Sequence, residues 1–130
     1  MRSILLDTHV WIWMSAGQDQ LLSTSAKKAV HSAREKWISA ISCWELAKLV
    51  EKKRLGFSIP VISWIHQSLI ENELRIADLT PEVAVESTLL KGFHQDPADQ
   101  IIVATARILK MPLVTSDQRI KNYIGIECLW

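Results

Sequence analysis

The apolar run Ile4-Leu5-Leu6 ends in Asp7, where an aspartate is a poor strand former and costly to bury unpaired. Four further acids stand where helical patterns begin or apolar strands end: Glu45, Asp96, Asp99 and Asp117. Three of these settings have a local structural account. Ser42-Cys43-Trp44-Glu45 has the form of a capping box. Asp96-Pro97-Ala98-Asp99 reads as a cap, a first-position proline and an acid favoured by the helix dipole, and Asp117 can cap a short helix. Asp7 fits such an account least. Gathered in one place, these carboxylates would repel one another and their pKa values would rise unless a cation neutralised them. No lysine or arginine recurs beside all of them, and oxygen-only donors suit Mg²⁺ or Mn²⁺ rather than zinc. One or two such cations can activate water and stabilise the leaving oxygen of a phosphodiester.

The elements that must position these acids alternate. Strands are expected at residues 3–7, 37–39, 74–78, 113–115 and 126–129. Helices are expected at residues 8–15, 23–36, 42 to about 54, 60 to about 73, 80 to about 91, from 96 onward, and 117–123, with loops at 17–22 and 92–95. The segment 101–106, Ile-Ile-Val-Ala-Thr-Ala, is apolar nearly all round and implies a helix packed on both sides. Strands joined by helical crossovers imply a mostly parallel sheet with helices on both faces. The expected fold is a single domain over residues 1–130, an α/β sandwich with about five strands. In open parallel sheets ligands bind beyond the carboxyl ends of the strands, the edge to which this connectivity carries the acids.

The 130-residue chain, 48% hydrophobic and 22% charged, has the composition of one globular domain. A formal net charge of +1 supplies no global basic field, so a nucleic-acid partner must be met by a local patch. Cys43 and Cys128 lack metal or redox spacing and read as buried thiols. No apolar stretch approaches the ~18 residues of a membrane span, and no signal pattern opens the chain, so a soluble cytoplasmic protein without a membrane partner is expected.

Taken in order, Ile4-Leu5-Leu6-Asp7-Thr8-His9, Ile38-Ser39-Ala40-Ile41-Ser42-Cys43-Trp44-Glu45-Leu46-Ala47, Asp96-Pro97-Ala98-Asp99-Gln100-Ile101-Ile102-Val103-Ala104-Thr105-Ala106 and Leu113-Val114-Thr115-Ser116-Asp117 resemble the PIN-domain ribonucleases. The likeness is greatest to the VapC-type toxins of bacterial type II toxin–antitoxin pairs and spans nearly the whole chain. It implies a PIN-like three-layer α/β/α sandwich and a metal-dependent endoribonuclease using Mg²⁺ or Mn²⁺, inhibited by a cognate VapB-type antitoxin. Carried over by position, the catalytic and metal-binding acids fall on Asp7, Glu45, Asp99 and Asp117, with Asp7 and Asp99 the principal ligands. Thr8 and Thr115 match supporting polar positions, while Gln100 stands where many members carry arginine. Asp99 is preferred to Asp96 as the third acid because it directly precedes the apolar helix. The resemblance also implies a homodimer and an antitoxin tail able to occlude the acidic pocket.

Other residues are candidates for contacts with RNA or a partner. Lys48 lies one turn from Glu45 and would either pair with it or reach a phosphate; Lys52, Lys53, Arg54, Arg107, Arg119 and Lys121 are candidates for a rim. His9 is near Asp7 in sequence, whereas His31, His66 and His94 fall in unrelated elements. One or both of two apolar helices, Trp11-Ile12-Trp13-Met14 and the one bearing Val61, Ile62, Trp64, Ile65, Leu69 and Ile70, are expected to line an exposed groove for an antitoxin helix. A phospho-acceptor receiver module is disfavoured, since a single acid follows the first strand and Asp117 stands where a lysine would be needed. A catalytically silent PIN-like scaffold is the remaining alternative.

Overall fold

The computed structural model describes residues 2–130. Five strands, β1 (Ser3–Leu6), β2 (Glu35–Ser39), β3 (Leu74–Ala77), β4 (Leu113–Val114) and β5 (Cys128–Leu129), form one sheet in the order β3-β2-β1-β4-β5. Every pairing is parallel, with Leu5 beside Trp37 on one side and Leu113 on the other. The central strand is apolar at successive positions because both of its faces are covered. Ile4 and Leu6 point into one core with Val10, Trp11, Ile38, Leu46 and Ile65, while Leu5 points into the other with Ile102, Val103, Leu113 and Ile120.

The first layer of helices contains α1 (Thr8–Ser15), α2 (Thr24–Ser32), α3 (Ala40–Glu51) and α4 (Val61–Glu71). The other contains α5 (Pro81–Ser87), α6 (Pro97–Leu109) and α7 (Gln118–Lys121). Helix α6 lies between the sheet and α5, which explains its nearly unbroken apolar middle: Ile102 through Ala106 are all buried. This is the three-layer α/β/α sandwich expected from the sequence. Both cysteines are free, and among the described residues no helix is long and apolar enough to cross a membrane.

Several expected boundaries move. A short 3-10 turn at Asp19–Leu21 occupies the expected 17–22 loop. Helix α2 stops at Ser32 and β2 starts at Glu35, because the Arg34 N–H bonds to the Arg2 carbonyl and draws the chain into the sheet. Helix α5 ends at Ser87 instead of about 91; the Ser87 and Thr88 hydroxyls donate to the Ala84 and Val85 carbonyls and compete with continued helix. The Ser42–Glu45 capping box does not form. Helix α3 begins directly after β2, Ser39 accepts the Ile41 N–H at 3.2 Å, and Ser42 is buried inside the helix.

Helix α1 packs mostly into the core. Trp11 is fully buried and its indole N–H donates to Ser68 Oγ at 2.9 Å, Ile12 is buried, and Trp13 and Met14 pack against the same core. An apolar helix without a polar face is what burial beneath other helices requires. Helix α4 does keep an exposed apolar flank, with Ile62 59% and Ile70 77% accessible, and Trp44 of α3 is 53% accessible.

Candidate active site

The strand order reverses about β1, which lies between β2 and β4, the switch point at whose carboxyl edge open parallel sheets bind their ligands. Asp7 is the first residue past β1, and Thr115 and Asp117 follow β4. Glu45 enters from the second turn of α3, one turn later than a helix starting at Ser42 would place it. Asp96 and Asp99 begin α6.

Asp7 is buried and caps α1 after all: its Oδ1 accepts the Thr8 N–H at 2.7 Å. Its Oδ2 accepts the Thr115 hydroxyl at 2.6 Å, a bond that ties the ends of β1 and β4 together. Burial pushes the Asp7 carboxyl up; the bonds from Thr115 and Thr8 pull it back without cancelling the rise. The Thr8 hydroxyl lies 2.5 Å from Glu45 Oε1 and 2.8 Å from Ser42 Oγ. It carries one proton, and the short contact to the carboxylate takes it, so the Ser42 hydroxyl donates in turn to Thr8. Glu45 is likewise pushed up by burial and by the charges of Asp7 and Asp96.

Asp99 is pushed up as well. Burial, followed by the charges of Asp7, Asp96, Glu45 and Asp117, raises its carboxyl to about 7. Those four acids therefore lie within electrostatic reach of it. Asp99 Oδ2 has two basic neighbours, His94 Nε2 at 3.1 Å and an Arg119 guanidinium nitrogen at 3.7 Å. The same Arg119 nitrogen is 3.4 Å from Asp117 Oδ2. For Asp117 burial raises the carboxyl, but bonds from the Arg119 side chain and from the Arg119 and Ile120 N–H groups prevail and hold it below the ordinary range. Asp96 is exposed and spent on the cap of α6, where its Oδ1 accepts the Asp99 N–H at 3.1 Å.

Asp7, Glu45, Asp99 and Asp117 thus converge, Asp96 stands at their border, and Thr8 and Thr115 brace two of them. Among the described residues no three side chains of these types are drawn tightly enough to enclose a metal ion. His94, read as part of an unrelated element, in fact reaches Asp99. The available signal was its place two residues before the cap of α6, on the loop that must arrive at this edge. His9 is exposed and lies 6.0 Å, ring to ring, from Trp13.

Two candidate basic contacts are absent from the site. Lys48 pairs with Glu51 at 3.1 Å and not with Glu45. Arg107 faces the opposite edge, donating to the Tyr123 hydroxyl at 2.9 Å and lying 3.7 Å from Glu86. Together with Arg2, Arg34 and Lys110 it lines a cavity of about 630 Å³ beneath the amino ends of the strands.

The family model for the PIN domain matches residues 4–125. The chain is 41% identical to Ribonuclease VapC22 of Mycobacterium tuberculosis over 124 residues, covering 95% of this chain and 93% of that protein. Among solved structures, VapBC2 from Rickettsia felis, bound to a DNA fragment from its promoter, superposes with a TM-score of 0.71 at 18% identity, covering 97% of this chain and 96% of the other. A toxin–antitoxin complex from Klebsiella pneumoniae superposes with a TM-score of 0.66 at 21% identity, covering 95% and 94%. At these identities the two structures speak for the fold, whereas the family model and the 41% identical relative speak for descent. The chain belongs to the PIN domain family and, within it, to the VapC-type ribonucleases.

Proposed function

We propose that this protein is a divalent-cation-dependent endoribonuclease toxin, hydrolysing RNA phosphodiester bonds and held in check by a VapB-type antitoxin. The observation that carries the reading is the convergence of Asp7, Glu45, Asp99 and Asp117 at the switch point of the sheet, with Asp99 raised to about 7 by burial and its neighbours' charge. By its chemistry this donor set suits a hard cation: it is all carboxylate oxygen and carries more negative charge than Arg119 offsets.

Asp7 and Asp99 would be the principal ligands of Mg²⁺ or Mn²⁺, with Glu45 and Asp117 completing the site. When bound, such a cation lowers the pKa of water and offsets the charge growing on the 3′ leaving oxygen. The chain supplies the rest. Thr115 and the Thr8 N–H hold Asp7 by both carboxylate oxygens, and the Thr8 hydroxyl holds Glu45, so neither acid must reorganise as charge develops. Arg119, exposed beside Asp99 and Asp117, is placed to meet an RNA phosphate at the rim. The site contains no serine or cysteine beside a histidine base, so attack by water needs no covalent intermediate on the protein.

The exposed flank of α4, with Ile62 and Ile70, is the apolar surface offered to an antitoxin helix, and a homodimer is part of the same reading. Cleavage of a mixed structured RNA by purified protein in Mg²⁺ or Mn²⁺ tests the function. Asp7→Asn and Asp99→Asn should each reduce the rate by about 10²–10³-fold, the scale of losing one preorganised charge-stabilising group, and EDTA should abolish it. Cleavage that survives chelation or both substitutions would sink the metal mechanism. No cleavage by a protein that still binds Mn²⁺ would favour a silent binding module instead.

A further inference from the structure

We propose that His94 is a positioning residue that commits Asp99 Oδ2 and leaves Asp99 Oδ1 to meet a cation; this rests on the metal-dependent reading above. His94 is fixed from three directions. Its Nδ1 accepts the Asp96 N–H at 3.3 Å, so in the neutral ring the proton sits on Nε2. Its ring lies 4.4 Å from that of Phe93, which is buried in the core beneath α6. Its carbonyl accepts the Gln100 side-chain amide at 3.0 Å. Gln100 thereby clamps the loop that delivers the histidine.

The Nε2 so presented is buried and 3.1 Å from Asp99 Oδ2, with its N–H turned off the line to the oxygen. No better aligned partner exists among the described residues. Contacts of this kind commonly straighten only in the loaded site. Arg119 reaches the same oxygen from 3.7 Å but is exposed and shared with Asp117, so it is the looser of the two restraints. Ligating carboxylates are ordinarily held by a neighbouring donor, and losing that donor costs affinity for the metal.

Mn²⁺ affinity measured by calorimetry on the full chain, with RNA cleavage kinetics alongside and far-UV circular dichroism to verify folding, tests the assignment. His94→Ala should weaken Mn²⁺ binding by about 10–100-fold, the usual effect of removing such a donor, and lower kcat while leaving KM for RNA unchanged. His94→Gln, which keeps an N–H donor, should recover most of the affinity. Gln100→Ala, which leaves the imidazole but releases its loop, should weaken binding in the same direction by less. If His94→Ala does not fold, Gln100→Ala decides, and unchanged Mn²⁺ affinity there overturns the proposal. A folded His94→Ala that binds Mn²⁺ as well as the wild type or better also overturns it, and a raised KM in that variant would place His94 against RNA. If the wild type binds no Mn²⁺ and Asp99→Asn matches it, the metal-dependent reading itself fails and this proposal falls with it.

Discussion

A carboxyl held at about 7 in the folded chain and near 3.8 when unfolded, as Asp99 is, takes up a proton on folding at any pH between those values. The stability carried by that proton is complete below about pH 4, declines as pH rises toward 7, and is absent above it. Asp7 and Glu45, also pushed up, act with the same sign; Asp117, held low, acts with the opposite sign and loses its contribution only in acid. The cation-free protein should therefore melt lower at pH 8 than at pH 5. Asp99→Asn should raise the melting temperature at pH 8 by about 3–8 °C, as a gain of about 1–2 kcal/mol does in a chain of this size. Scanning calorimetry at several pH values checks this, and a variant that keeps the wild-type pH slope would exclude Asp99 as its source. Asp7, Asp99 and Asp117 were legible in the sequence because each follows a strong local signal, an apolar strand end or a helix start, whereas Glu45 was read from a capping box that does not form. His94 was not, since only the path of the 88–95 loop brings it to Asp99.

At the level of elements, the contact that sequence could not show joins α1 to α3 through Thr8. Two serines, Ser39 and Ser42, both precede a helical pattern, and nothing local chooses between them. The choice is made by sheet register: Ile38 pairs with Leu6 and Ile76, Ser39 pairs with Ala77, and the strand runs without a connecting residue into the helix. Ser42 then faces inward, to the Thr8 hydroxyl that also binds Glu45. Thr8→Val keeps the shape and deletes the hydroxyl, leaving a buried serine and a carboxylate without their partner. It should cost about 1–3 kcal/mol in urea unfolding, the penalty for stranded buried polar groups. Wild-type stability in that variant would mean that packing alone holds α1 against α3.

Over the whole molecule, the layer order was readable from alternating elements, because parallel strands need crossovers and crossovers need helices on both faces. The surface was less readable. An apolar helix serves equally as core or as docking face, and only the burial of α1 between sheet and α4 separates it from the exposed flank of α4. Acids gather beyond the carboxyl ends of the strands, whereas Arg2, Arg34, Arg107 and Lys110 line the cavity at their amino ends, where Glu127 pairs with Arg2. In a chain of net charge +1, the acids grouped around Asp99 make the local field at the carboxyl edge negative. Under the proposed function, RNA would meet a field of its own sign there until a cation reversed it. RNA should bind the cation-free protein more weakly than the Mn²⁺-loaded protein at low salt, with the gap closing above about 0.1 M, where screening acts within ~10 Å. Filter binding with the two additions made in either order checks this, and equal affinity with and without Mn²⁺ would remove the field as a cause. On that reading the acids would act as an interlock, setting the order of arrival: cation first, RNA second.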